Sequence, residues 1–577
     1  MADAALKALG EIIEKTKNLD IIFAVGLPIK HKGKLYNTAA VSYKGRLLGL
    51  IPKIHLPNYN EFYEKRVFCS ADRLGADEYI CFNGEKVDFS ANLLFYNDLM
   101  EEFSFGVEIC EDLWVPCPPS VKLCQAGANI ILNPSASNDI AGKADYRRDL
   151  VKMQSARLIC GYVYADCGDG ESTTDMVFSA HSMIYENGCM LNERKPFSLE
   201  NNILISDIDV SGIEYERRRT DTFTYRDSGI KRISFSMNIS ENRLRRVFPR
   251  YPFVPSSSED IQNRCLYILS IQSHGLKKRL EQIKSDKAVI GISGGLDSTL
   301  ALIVTVRAFR LMNKPAKDIL CISMPCFGTT ERTEKNAEKL CSLYNVTYKK
   351  IDIKESVSLH MRDIGHSGEY DTTYENCQAR ERTQILMDTA NMENGIVIGT
   401  GDLSESALGW STYNGDHMSG YNVNASVPKT LVRYLVKYEA DFCSEANLKE
   451  TLYDILSTPV SPELLPSDGS EIIQKTEDIL GPYELHDFFL YYFIRKGFSP
   501  SKIYRICRTA FKEYSDKFIL DCLKLFIKRF FMQQYKRSCM PDSPKVGSVS
   551  LSPRGDLRMP SDAEARLWTD DLENIKQ

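Results

Sequence analysis

A chain of 577 residues is too long for a single hydrophobic core and predicts two to four domains. With 43% apolar and 26% charged residues it has an ordinary globular composition, and its net charge of -5 excludes a strongly basic nucleic-acid binder. No run of about eighteen apolar residues offers a membrane span. Met1 to Gly10 lacks the basic start and apolar core of a signal peptide. The expectation is therefore a cytoplasmic protein, with most of its 17 cysteines as buried thiols in a reducing compartment. Their scatter, without paired Cys-x-x-Cys spacing, argues against structural zinc. The basic cluster Arg217–Arg219 reads as a solvated or interface face.

In chain order, Leu6, Leu9 and Ile13 follow helical spacing and predict a helix over Ala4–Lys17. Short apolar runs follow at Ile21–Gly26, Phe105–Cys110 and Ala128–Asn133, the texture of a layered α/β sandwich. Prolines and serines between Arg250 and Asp260 mark a linker. The runs Ala288–Ser293, Ile319–Ser323 and Ile396–Gly399, separated by helical stretches, predict a second, doubly wound parallel sheet. From Pro459 to Phe531 the chain reads as helical and aromatic, and the Pro/Ser/Gly-rich tail beyond Ser538 is expected to run over the surface. The expected division is 1–245, a linker over 246–260, and 261–577.

The sharpest local signal is Ser293-Gly294-Gly295-Leu296-Asp297-Ser298, placed after an apolar strand and before a helix expected over Thr299–Arg310. A helix N-terminus carries unpaired N–H groups and partial positive charge, and glycines let that backbone approach an anion. No lysine of an ordinary phosphate loop is present. Asp297 would repel phosphate unless a divalent cation intervened, which points to Mg²⁺ and pyrophosphate. A glycine turn with a serine cap is the plainer alternative. The loop resembles that of the PP-loop ATP pyrophosphatases, which implies adenylation of a carboxylate or carbonyl with release of pyrophosphate.

Three further segments narrow this. Asn376 and Arg380, in Tyr374–Arg382, are four apart and share a helix face that can meet phosphate or ribose; the same spacing suits a helix held by surface charge pairs. Thr400, in Gly399–Glu405, follows a strand at the carboxyl end where such sheets bind ligands, and Glu405 can share a metal with Asp297. Trp410 can stack on a pyridine ring or simply be buried, and Lys536 can neutralise developing charge or be solvated. Together with Thr412–His417, these segments resemble the synthetase domain of the NAD⁺ synthetase family over roughly Asp260–Asp562. The resemblance implies ATP bound by Ser293–Ser298 and Thr400, deamido-NAD⁺ bound by Asn376, Glu405, Trp410 and Lys536, and Mg²⁺ held by Asp297 and Glu405. The reaction implied is adenylation of the nicotinate carboxylate, followed by attack of ammonia to give NAD⁺ and AMP.

In the front region, Cys110 is expected to end a strand, where a nearby lysine ammonium would favour its thiolate. Any one of many cysteines is more often a packing residue. The surroundings, Pro52–Tyr63 around Lys53 and Gly106–Trp114 around Cys110, resemble the nitrilase superfamily and the glutaminase domain of the same synthetases. That resemblance implies an α-β-β-α sandwich, Cys110 as nucleophile, Lys53 at the oxyanion, and Tyr59, Ser137 and Lys143 around glutamine. For Lys143 a structural role is equally open. It also implies homo-oligomers and a route for ammonia between sites. The family's catalytic glutamate should lie upstream of Lys53, but the glutamates there, Glu11 and Glu14, belong to the first helix; Glu61 and Glu111 do not match it. A start upstream of Met1, favoured here, a disabled glutaminase, or a compensating acid would each account for this. The expectation is good use of free ammonia and poor glutamine hydrolysis. The alternatives are an ammonia-only synthetase with a scaffold front domain, or another PP-loop amidotransferase.

Overall fold

The computed structural model describes residues 1–575 apart from 76, 169, 172–174, 200–202, 227–228, 256 and 459–475. The start of the helical stretch expected from Pro459 lies outside the described residues. The chain divides into two compact units, Met1–Arg246 and Val247–Gln577.

The first unit contains two sheets. Strands Ile22–His31, Lys34–Tyr43 and Arg46–Pro52 form an antiparallel meander. Lys32 and Gly33 both take positive φ at its first turn, which matches the twist of a two-residue hairpin. The second sheet has seven strands, with Ile130–Ser135 at its centre, parallel to both Met100–Val107 and Gly161–Asp166. Ala39, Val41 and Ile51 of the meander pack with Leu93, Phe95, Phe105 and Val107 of the larger sheet in one buried cluster. A Cβ on Gly49 would come within 2.8 Å of Leu93 and 2.9 Å of Phe95, so the packing of the layers requires glycine there. The helix Ala2–Thr16 covers the meander with Leu9 and Ile13, and Leu123, Val151 and Leu158 from two helices cover the larger sheet. The layering is helix, sheet, sheet, helix, as the nitrilase-like expectation requires. Arg217 does not lie on a solvated face. It is 2% exposed and donates to Asn129 Oδ1 and to the carbonyls of Ala128, Leu158 and Ile159, because the last turn of its helix faces these buried acceptors.

The second unit is built on five parallel strands in the order Thr347–Lys350, Ile319–Ser323, Lys287–Gly291, Gly395–Gly399, Tyr421–Asn422. From Lys287–Gly291 the chain moves first to one side and later to the other. The crevice beyond the carboxyl ends of Lys287–Gly291 and Gly395–Gly399 is thus a topological switch point. The helix Leu296–Leu311 is almost wholly buried, with Leu300, Leu302, Ile303 and Val304 fully inaccessible. Helices Tyr483–Leu490, Pro500–Ala510 and Asp516–Met532 follow, held by rings such as Phe489, Phe526 and Phe530.

The tail departs from expectation. Met540, Val549, Leu551 and Leu572 are buried, Asn422 N–H donates to Asp542 O, and Ser426 Oγ donates to Pro544 O. Spaced apolar residues and free carbonyls tie this segment to the sheet's last strand and the loop after it, whatever its proline content. No helix of the described residues is long and apolar enough to cross a membrane.

Candidate active sites

The strand leading to Cys110 stops at Val107. Cys110 does not end it. It opens a single 3-10 turn, Cys110–Leu113, with φ of +47°, a region that a residue bearing a Cβ enters only when its surroundings hold it there. The hold is visible: Cys110 N–H donates to Asn133 Oδ1 at 2.9 Å, Asn133 Nδ2 donates to Tyr162 Oη at 2.9 Å, and Tyr162 donates to Glu108. Burial pushes the Glu108 carboxyl up to about 7.

Cys110 lines a cavity of about 770 Å³ together with Lys53, Tyr59, Glu64, Ser137 and Lys143. Lys53 is 3% exposed, and its Nζ lies 2.6 Å from Glu64 Oε2; Glu64 Oε1 accepts from Asn37 Nδ2 at 2.7 Å. Burial raises the Cys110 thiol, and the Lys53 ammonium pulls in the opposite direction. Tyr59 donates to Glu111 Oε1 at 2.8 Å. Ser137 is buried, its Oγ accepting from Arg147 Nη2 at 3.1 Å. Lys143 Nζ donates to Asn138 Oδ1 at 2.6 Å and sits over the rings of Phe62 and Trp114, where burial lowers its affinity for a proton. Asn138 Nδ2 in turn donates to Glu61 Oε1 at 2.8 Å.

The cavity is therefore a thiol at a forced turn, a buried ion pair, and a polar wall able to orient an amide. Sequence reasoning missed Glu64, which follows Lys53 by eleven residues rather than preceding it. The available signal was the second glutamate of the Tyr59–Arg66 stretch, three residues beyond Glu61.

In the second unit the helix after the phosphate loop starts at Leu296, not Thr299, so Asp297 and Ser298 stand in its first turn. Ser293 Oγ accepts from Gly295 N–H at 3.1 Å, and Ser298 Oγ donates to Gly295 O at 3.1 Å; the loop is pre-folded around its serines. Gly294 has φ of +83°, and a Cβ there would meet Thr333 O at 2.1 Å. Only glycine fits.

The cation beside Asp297 is Lys429, at the first turn of the helix Lys429–Phe442. Its Nζ lies 2.8 Å from Asp297 Oδ2, 2.8 Å from Asp402 Oδ2 and 2.9 Å from Glu405 Oε1. Burial opposes its charge, but the three carboxylates outweigh burial and hold the ammonium well above its ordinary range. Burial likewise raises Asp402 and Glu405, with Lys429 pulling them back. Asp402 caps its helix by accepting Glu405 N–H at 2.8 Å, which fixes the spacing of the two acids. One oxygen of each of Asp297, Asp402 and Glu405 can come within 4.8 Å of the others, and buried Asp297 Oδ1 accepts no hydrogen bond. An all-oxygen set with an orphaned carboxylate oxygen suits a hard divalent cation such as Mg²⁺.

Asp297, Glu405 and Lys429 line a cavity of about 840 Å³ that also receives Ser293, Thr400, Asn376, Trp410 and Lys536; Asp402, fully buried, reaches it through Lys429. Asn376 Oδ1 accepts from Thr412 Oγ1 at 2.8 Å, and the Arg529 guanidinium lies 5.2 Å from the Trp410 ring centre. Lys536 is not a free charge: its Nζ donates to Gly409 O at 2.8 Å and Ser411 O at 2.6 Å, bracing the turn that carries Trp410. Arg537, buried and held down to about 9 by burial, donates to the carbonyls of Ser406 and Ala407. Lys429 and Asp402 were absent from the sequence reading; the pairing of Lys429 with Asp297 spans 132 positions.

A parallel sheet with a glycine-serine phosphate loop and an acid cluster at its switch point, in a chain that also carries a nitrilase-like sandwich with a lysine-flanked thiol, defines an ATP-dependent carbon–nitrogen ligase. A family model described as NAD synthase matches residues 268–517. The glutamine-dependent NAD(+) synthetase of Mycobacterium leprae is 40% identical over 600 residues, covering 98% of this chain and 88% of that protein. The Aquifex aeolicus enzyme of the same name is 28% identical, covering 96% and 88%. The crystal structure of a glutamine-dependent NAD(+) synthetase from Cytophaga hutchinsonii aligns over 100% of this chain and 90% of that one, with 20% identity and a TM-score of 0.45. The chain belongs to the glutamine-dependent NAD⁺ synthetase family.

Proposed function

We infer that this chain amidates deamido-NAD⁺ to NAD⁺ at the expense of ATP, giving AMP and pyrophosphate, with ammonia drawn from glutamine. The observation that carries the synthetic half is the convergence of the Ser293–Ser298 loop, Asp297, Glu405 and Lys429 in one cavity with Asn376 and Trp410, with Asp402 completing the acid cluster around Lys429. The loop N–H groups and helix terminus offer a seat for the leaving pyrophosphate. The substrate carboxylate attacks the α-phosphorus of ATP, and the P–O bond to pyrophosphate breaks. Ammonia then attacks the acyl carbon, loses a proton, and AMP departs. Asp297, Asp402 and Glu405 would hold Mg²⁺, which supplies charge neutralisation for the phosphates. Thr400 and Asn376 contribute polar contacts, and Trp410, backed by Arg529, offers a face for the pyridine ring. Lys536 acts by holding the Trp410 turn.

In the front cavity Cys110 attacks the side-chain amide carbon of glutamine, and the thiol proton leaves with the ammonia. Lys53 favours the thiolate and the developing oxyanion. Glu64, paired with Lys53, is the acid we assign to this proton traffic. Water then cleaves the thioester to glutamate. Tyr59, Ser137 and Lys143 surround the substrate. Small-molecule substrates are the partners on this reading; homo-oligomer formation and a cytoplasmic location belong to it as expectations.

The test is a substrate panel with saturating ammonia. Deamido-NAD⁺ with ATP is expected to give NAD⁺, AMP and pyrophosphate in equal amounts. Turnover of another carboxylate or carbonyl acceptor in its place would overturn the assignment.

A further inference from the structure

Cys110 and Lys53 come from segments far apart in sequence, yet their chemistry requires a fixed mutual position. One side chain fastens both segments. Asp112, on the turn that Cys110 opens, is 2% exposed. Its Oδ2 accepts the N–H of Ile109 at 3.0 Å, closing the turn one residue before the thiol. Its Oδ1 accepts the N–H of His55 at 2.8 Å, two residues after Lys53. Lys53 itself leaves its strand with its N–H on Asn37 O and its carbonyl accepting from Ala71. The bond from His55 thus ties the exit of that strand to the cysteine turn two residues from Lys53, where the Tyr59–Glu111 bond joins them only further along the loop. The Glu108–Tyr162–Asn133 chain supports Cys110 from the opposite side and touches neither Lys53 nor His55.

We propose that Asp112 is a positioning residue for glutamine hydrolysis: its two carboxylate oxygens, each bonded to a different backbone segment, set the Lys53 ammonium against the Cys110 thiol. An isosteric amide cannot do this. Asparagine offers one acceptor oxygen and one amino group, so one backbone N–H would face another donor. A buried, unpaired N–H is costly enough to move a loop. Burial also drives the Asp112 carboxyl up to about 7, and the bonds from His55 and Ile109, with the Lys53 charge, pull the other way. The proposal rests on Cys110 as the nucleophile, and the experiment reads the thiol itself, so that it stands or falls separately from glutamine turnover.

The experiment is alkylation of the full chain by iodoacetamide across pH. Modification of the Cys110 peptide is followed by mass spectrometry, with exposed Cys117 as internal reference. In Asp112→Asn, loss of a nearby negative charge alone would lower the midpoint of the Cys110 profile. Loosening of Lys53 would raise it, because the thiolate loses its cation. The expected result is an upward shift of about half a unit or more, with alkylation at pH 7.5 slowed about threefold and Cys117 unchanged. Asp112→Ala, which abandons both N–H groups, is expected to shift it further. An unchanged or lowered midpoint in Asp112→Asn overturns the proposal. So does loss of protease resistance across residues 1–246 in that variant, which would make Asp112 a folding residue only.

Discussion

The two units handle charge in opposite ways. The front cavity holds the Cys110 thiol on a backbone turn with φ of +47°, propped from below by a chain of hydrogen bonds. The synthetase cavity instead concentrates charge: three carboxylates around one buried lysine, next to the glycine-serine loop. On the proposed function the first arrangement generates a nucleophile, and its demand is position. The second must neutralise a polyphosphate, and its demand is balance. Mutations should therefore behave differently in the two: faults in the front cavity should silence glutamine use alone, and faults in the synthetase cavity should reduce synthesis from either ammonia source.

The largest effect is expected at the charge centre. Lys429→Met leaves buried Asp402 and half-buried Asp297 and Glu405 uncompensated, and NAD⁺ formation should fall at least about a thousandfold with ammonia or with glutamine; a variant that keeps the ammonia rate would break the comparison. Gly294→Ala comes next. The strain of φ +83° and the clash with Thr333 O displace the loop, and the ammonia-driven rate should fall about a hundredfold. Glu64→Gln should reduce glutamine-driven synthesis about a hundredfold while leaving the ammonia-driven rate within about twofold, as measured by steady-state NAD⁺ formation with each donor. The smallest effect is expected at Arg537→Met, which removes donors from the carbonyls of Ser406 and Ala407 without touching the cavity's acids. About a tenfold rise in KM for deamido-NAD⁺, read with ammonia, should follow as the Trp410 turn loosens.

Legibility in the sequence follows the same division. The phosphate loop and its two flanking strands are contiguous, so local pattern sufficed to find them, with an error of three residues in the helix start. The helix begins early because Leu296 is already buried and Asp297 suits the first turn. Lys429 had no such signal: it stands at a helix start after Pro428, and nothing near it in the chain announces the acids it meets. Asp402 lay inside the Gly399–Glu405 segment without a role of its own, and its place as helix cap, with Lys429 against its second oxygen, belongs to the fold. In the front unit the sandwich was readable from short apolar runs, and Lys53 and Cys110 from their flanks. The positive φ of Cys110 and the pairing of Lys53 with Glu64 depend on strands that meet only in the fold. The tail was misread because composition marks proline-rich segments as surface, and buried anchors such as Val549 and Leu551 are too sparse to register.

The central claim is that one chain holds two chemically separate sites, a thiol that releases ammonia and a charge centre that uses it. Steady-state NAD⁺ formation by Cys110→Ala, with glutamine and with ammonia as alternative donors, tests this most directly. The predicted result is loss of the glutamine-driven rate with an ammonia-driven rate equal to that of the unaltered chain. Glutamine-driven synthesis that survives the substitution would contradict the account and leave the front unit as a scaffold.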